Sequence, residues 1–145
     1  MFCYIQNMRG FEYSEGDIRL HCTDKVFMRG EEYFADGLVT RLALRGDSIF
    51  AEVEGSDDEP YQLSVQFVDG VPSSASCTCP YEWEGWCKHI VAALLLFLED
   101  PDCAQSEKPL EDVLKPLSRK QLQSLVQALA EEDPSIYDAV MRCLE

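Results

Sequence analysis

Four side chains in the middle of the chain have the types and the spacing of a metal site. They are Cys77-Thr78-Cys79, a gap of seven residues, and Cys87-Lys88-His89. Zn²⁺ prefers four soft or borderline ligands in a tetrahedron, and three cysteines with one histidine are a usual structural set. On a strand, residues two apart face the same way, so Cys77 and Cys79 can present two thiolates together. Pro80 then turns the chain, and the loop returns Cys87 and His89 at the start of a helix, whose N-terminus favours a thiolate. The competing reading is three ordinary core cysteines and a surface histidine. Against it, four ligand types fall within 13 positions as two matched pairs, and His89 is one of only two histidines in the chain. Four protein ligands leave no open position for water, so such an ion is structural rather than catalytic.

Three thiolates around one divalent ion leave the site with a single excess negative charge. Lys88 lies between two of the ligands and is the base expected to neutralise it, in preference to contacting a phosphate. Trp83 and Trp86 flank the same loop. Trp86, beside Cys87, is expected to pack inward. Trp83, between Glu82 and Glu84, suits either packing or a partner's pocket. His21-Cys22 is a second pair of ligand types, but with no further histidine near it the plainer expectation is a polar residue beside a core cysteine. Cys3, Cys103 and Cys143 are scattered and read as apolar fillers. No glycine-rich phosphate loop, Ser-His-Asp set or HExxH is present. A Cys87–His89 nucleophile pair fits less well than zinc, because two further cysteines join the set. The run Asp57-Asp58-Glu59 reads as a solvated turn rather than a calcium loop.

The elements that must position these ligands follow from hydrophobic periodicity. Thr23 caps a predicted helix through Val26, Phe27, Gly30, Tyr33 and Phe34, which share one side at spacings of three and four. Gly30 inside that helix costs roughly 1 kcal/mol against alanine, which a close packing contact would explain. Residues 1–22 give no clear pattern. From Leu38 the period switches to two, with Gly46-Asp47 and Asp69-Gly70 as turn signals. Four extended segments ending at Cys79 make an antiparallel meander. A helix is predicted over 88–99, apolar almost all round, so it needs cover on most sides. Pro101 ends it. A tail with helices over 109–117, 119–131 and from Asp133-Pro134 onward can supply part of that cover.

The totals fit this picture. At 145 residues and 46% hydrophobic the chain can bury one real core. Seven cysteines without a signal-like N-terminus suggest a reducing, cytoplasmic setting and metal binding before disulfides. The longest apolar run, Ile90 to Leu98, is too short to span a membrane. A net charge of -15, from 27 acids against 12 bases, repels a phosphate backbone and favours a protein partner. Six of the bases lie in the first 50 residues (Arg9, Arg19, Lys25, Arg29, Arg41, Arg45), so a local basic face able to meet DNA is the competing expectation.

The pattern CxC, gap, CxH, within the phrase CTCPYEWEGWCKHIVAALL, resembles the SWIM zinc finger, as does the upstream RGEEYFADGLV. The resemblance runs from about Thr23 to Leu98 and extends less specifically into LSRKQLQSLVQALAEEDP. It is similar to bacterial members, which stand N-terminal to Swi/Snf-type helicases or alone; this chain carries no helicase or transposase body. The resemblance implies a non-catalytic module that binds protein or DNA. The expectation is thus an α+β domain over 1–100 with a meander of about four strands, a CxC…CxH zinc site and a buried helix, plus a helical tail over 101–145 packed on that helix. It holds one structural Zn²⁺ on Cys77, Cys79, Cys87 and His89. Its partner is a protein, a Swi/Snf-type helicase among the candidates, with DNA as the alternative. Trp83, Lys88, Arg29, Arg41 and Arg45 are its candidate contacts. No membrane, small-molecule substrate or enzymatic activity is expected.

Overall fold

A computed structural model describes residues 10–145, so Cys3 and Arg9 lie outside the described part. The chain divides into two compact units, one ending at Glu107 and one starting at Lys108.

The first helix among the described residues is α1 (Glu15–Arg19), whose start is held by a reciprocal capping box between Ser14 and Asp17. The Thr23 hydroxyl accepts from the Val26 amide at 3.2 Å and starts α2 (Asp24–Ala35). Four antiparallel strands follow: β1 (Val39–Arg45), β2 (Ser48–Val53), β3 (Tyr61–Val68) and β4 (Val71–Cys77). The period-two pattern is plainest in β3, where Tyr61, Leu63, Val65 and Phe67 are buried and Gln62 and Gln66 are exposed. Asp69 and Gly70 both have positive φ, 53° and 82°, as a tight hairpin turn requires.

Among the described residues the sheet has five strands rather than four. A short β5 (Gln105–Glu107) pairs in parallel with β1, giving the order β4-β3-β2-β1-β5. Its three polar residues carry no alternation, so periodicity could not show it. Between β4 and β5 runs α3 (Lys88–Glu99), followed by a 3₁₀ turn over Pro101–Cys103.

α3 carries eight buried side chains and packs against both the sheet and α2. The α2 contact runs through Gly30. A Cβ placed there would overlap Val91 Cγ1 and lie 2.6 Å from Val91 Cβ, so only glycine lets the two helices come this close. At the other end of the core, Phe11 sits edge-on to Phe67 and Phe97, with centroids 4.8 and 5.2 Å apart. The Tyr13 hydroxyl donates to the Leu94 carbonyl at 2.6 Å.

The second unit holds α4 (Leu110–Leu114), α5 (Arg119–Glu132) and α6 (Ser135–Cys143). Ser118 and Gln121 form a capping box at the start of α5. No helix among the described residues is long and apolar enough to cross a membrane.

Candidate metal centre

The register of the sheet aims the first ligand. Cys77 pairs with Leu63, a core residue, so its side chain points to the buried face. Thr78 continues the pairing, donating its amide to the Gln62 carbonyl at 2.9 Å and accepting the Gln62 amide on Oγ1 at 3.0 Å. Cys79, two residues on, joins Cys77. The chain then loops out and returns at Cys87, the N-cap of α3, with His89 in the first turn.

The three sulfurs and one ring nitrogen lie within 4.8 Å of one another. His89 Nδ1 is 3.9 Å from Cys77 Sγ and 3.7 Å from Cys87 Sγ. A tetrahedron with Zn–S of about 2.3 Å and Zn–N of about 2.0 Å has ligand–ligand edges of roughly 3.5–3.8 Å. The two His89 edges match that geometry, and the wider separations, up to 4.8 Å, would close onto a bound ion. The cluster also fixes which ring atom faces the thiols: Nδ1, not Nε2. Sequence spacing carries no information on that choice.

The thiols themselves argue for a cation. Without one they cannot all ionise side by side. The Cys87 thiol pKa is pushed well below its ordinary value, first by the Cys77 thiol donating to it and then by His89. Cys77 is pushed up by sharing its proton with Cys87 and by burial, and Cys79 is pushed up mainly by burial. A divalent ion replaces the shared protons and lets three thiolates occupy one site. The N-terminus of α3 adds partial positive charge at the same point.

The surroundings are built for this cluster. His89 is 4% exposed and sits between the rings of Tyr61 and Tyr33, at centroid distances of 4.7 and 5.4 Å. Gly55 makes room for it, since a Cβ there would lie 2.9 Å from Tyr61 Cδ2 and 3.2 Å from His89 Nε2. The loop between the ligand pairs is tied to the α1–α2 linker. Trp86 donates its amide to the His21 carbonyl at 2.7 Å, and the two rings stack 4.0 Å apart. His21 is thus a clamp on the loop. No local sequence signal links residues 65 apart, and only the aromatic type of each partner hinted at stacking.

The candidate contacts differ in their surroundings. Trp86 is buried, while Trp83 is 79% exposed. Lys88 holds its ammonium over the Tyr33 ring at 4.7 Å, and Arg29 is exposed on α2. Arg41 and Arg45 are engaged elsewhere. Arg41 bridges Glu52 at 3.4 Å and Glu107 at 3.0 Å, and Arg45 meets Glu107 at 2.7 Å. Both guanidiniums also lie over Phe50. The Arg45 guanidinium, more than Arg41, holds the Glu107 carboxyl below the usual range.

Comparison with known proteins finds likenesses among curated sequences. The chain is 31% identical over 130 residues to the zinc finger SWIM domain-containing protein 8 homolog of Drosophila melanogaster. It resembles a protein named for a SWIM zinc finger. The match covers 86% of this chain but only 6% of that much longer relative. No family model matches the chain, and no solved structure matches it.

Proposed function

We propose that this chain is a non-catalytic SWIM-type module, of the bacterial kind, that holds one structural Zn²⁺ on Cys77, Cys79, Cys87 and His89. The observation that carries the reading is the tetrad of ligand atoms within 4.8 Å, two of its four residues buried. Four protein ligands close the coordination sphere, which removes the open position a catalytic zinc needs. The ion ties the end of β4 to the start of α3 and so holds the loop that carries Trp83. The likeness to a SWIM-named protein points the same way.

The module acts as an adaptor that docks on a larger DNA-processing machine, such as a Swi/Snf-type helicase, through protein contacts in the cytoplasm. Charge supports a protein rather than a DNA partner. The chain carries -15 overall, and Arg41 and Arg45, two of the three arginines a DNA reading relies on, are neutralised by Glu52 and Glu107. Fluorescence anisotropy of the zinc-loaded chain with labelled single- and double-stranded DNA separates the two readings. The adaptor reading expects no binding even at low salt, and partner capture that weakens in Trp83→Ala. Tight DNA binding that falls steeply with salt would overturn it.

A further inference from the structure

A cavity of about 230 Å³, lined in part by the tetrad's own Cys79, Cys87 and His89, is walled by α2, the β2–β3 loop, the metal-binding loop and the first turn of α3. Its lining includes Arg29, Lys88, Tyr33, Tyr61, Ser56 and His89, and no Asp or Glu at all. That is unusual in a chain where acids outnumber bases 27 to 12. Neither Arg29 nor Lys88 has a carboxylate partner among the described residues. His89 Nε2, in the same wall, is buried and has no hydrogen-bond partner. Two cations without a carboxylate partner among the described residues, and the hydroxyl-bearing side chains of Ser56, Tyr33 and Tyr61, line one opening.

We infer that this cavity is a carboxylate-binding pocket that receives one Asp or Glu side chain from the partner protein. The inference rests on the adaptor reading and adds the chemistry of the residue recognised. Size favours a single side chain, because pockets for whole small-molecule ligands run from about 300 to 1,000 Å³. Charge favours a single carboxylate. With zinc bound, the tetrad carries one excess negative charge and the two cations outweigh it by one, which one carboxylate cancels. Arg29 offers the planar fork that pairs with a carboxylate, and Lys88, braced over Tyr33, offers a point charge at the helix N-terminus. A nucleic-acid phosphate would meet the same cations, but it brings a polyanion to a chain of charge -15.

The test is a ¹H–¹⁵N NMR titration of the zinc-loaded full chain with a capped glycine-rich hexapeptide containing one glutamate. Its glutamine analogue and inorganic phosphate are titrated alongside. The pocket predicts that the glutamate peptide shifts the amides of Arg29, Ser56 and Lys88, and that the glutamine analogue binds at least about tenfold more weakly. Arg29→Gln and Lys88→Gln, both on accessible side chains, should each weaken the glutamate peptide by a similar factor. Equal shifts from the two peptides, or none from either, overturn the proposal. Phosphate binding as tightly as the glutamate peptide would replace it with a phosphate site. None of these results bears on partner capture through Trp83, so the adaptor reading stands or falls separately.

Discussion

Gly30 and Val91 set the distance between α2 and α3, because a side chain at position 30 would collide with the Val91 branch. The collision involves a β-branched residue that is fully buried and stiff about its first side-chain torsion. Gly30→Ala should therefore destabilise by about 1–3 kcal/mol through overpacking, despite a helix-propensity gain of roughly 1 kcal/mol. Urea denaturation checks this. Recovery of part of the loss in Gly30→Ala/Val91→Ala identifies the clash as the cause, and a stabilised Gly30→Ala would contradict it.

His21 and Trp86 predict a second effect, on metal retention. Removing the stack with His21→Ala should cost about 0.5–1.5 kcal/mol and speed zinc loss to a chelator, with the fold intact. Gly85→Ala should be worse. Its φ is +81°, and a Cβ there would press on the His21 carbonyl. If His21→Ala releases zinc at the wild-type rate, the clamp does not hold the loop.

Tyr13 gives a pH prediction. Its hydroxyl donates to the Leu94 carbonyl, and burial pushes its pKa well above the ordinary value. A raised folded pKa means stability is intact below the unfolded pKa of about 10 and is lost as pH rises above it. Tyr13→Phe should flatten the alkaline limb of a melting-temperature profile between about pH 9.5 and 11. An unchanged limb would place the alkaline weakness elsewhere.

The Arg45–Glu107 pair lies at the surface, so neutralising Arg45 should matter little. Arg45→Gln is expected to melt within error of wild type, since exposed pairs contribute little. Neither it nor Arg41→Gln should change DNA binding, which is expected to be absent. A salt-sensitive loss of DNA binding in either variant would restore a basic face.

What could be read from the sequence was whatever repeats locally. The two ligand pairs are each one residue apart and sit beside a turn, so their chemistry and their elements were visible together. α3 and the strands carry periods that the eye can follow. β5 was hidden because Gln105, Ser106 and Glu107 are polar and gain their place only by pairing with β1. α1 and the Phe11–Phe67–Phe97 cluster were hidden because five residues make no period and ring contacts 56 and 86 positions apart leave no local trace. The shared partner of Arg41 and Arg45, Glu107, left no local trace because it is more than 60 residues away from both. Gly30 was legible as an anomaly, and the structure supplies its reason.

The most direct test of the central claim is zinc content and stability measured together on one preparation. Structural zinc contributes about 10–16 kcal/mol of apparent binding energy, as much as the whole net stability of a typical domain, about 5–15 kcal/mol. Mass spectrometry of the purified chain should find one zinc per molecule. Complete chelation, Cys87→Ala and, nearly as strongly, His89→Ala should abolish the cooperative melt followed by circular dichroism. Cys103→Ala, on an exposed cysteine outside the tetrad, should keep both metal and melt. Unchanged circular dichroism and melting after complete metal removal, or equal loss in Cys103→Ala, would contradict a structural zinc on these four residues.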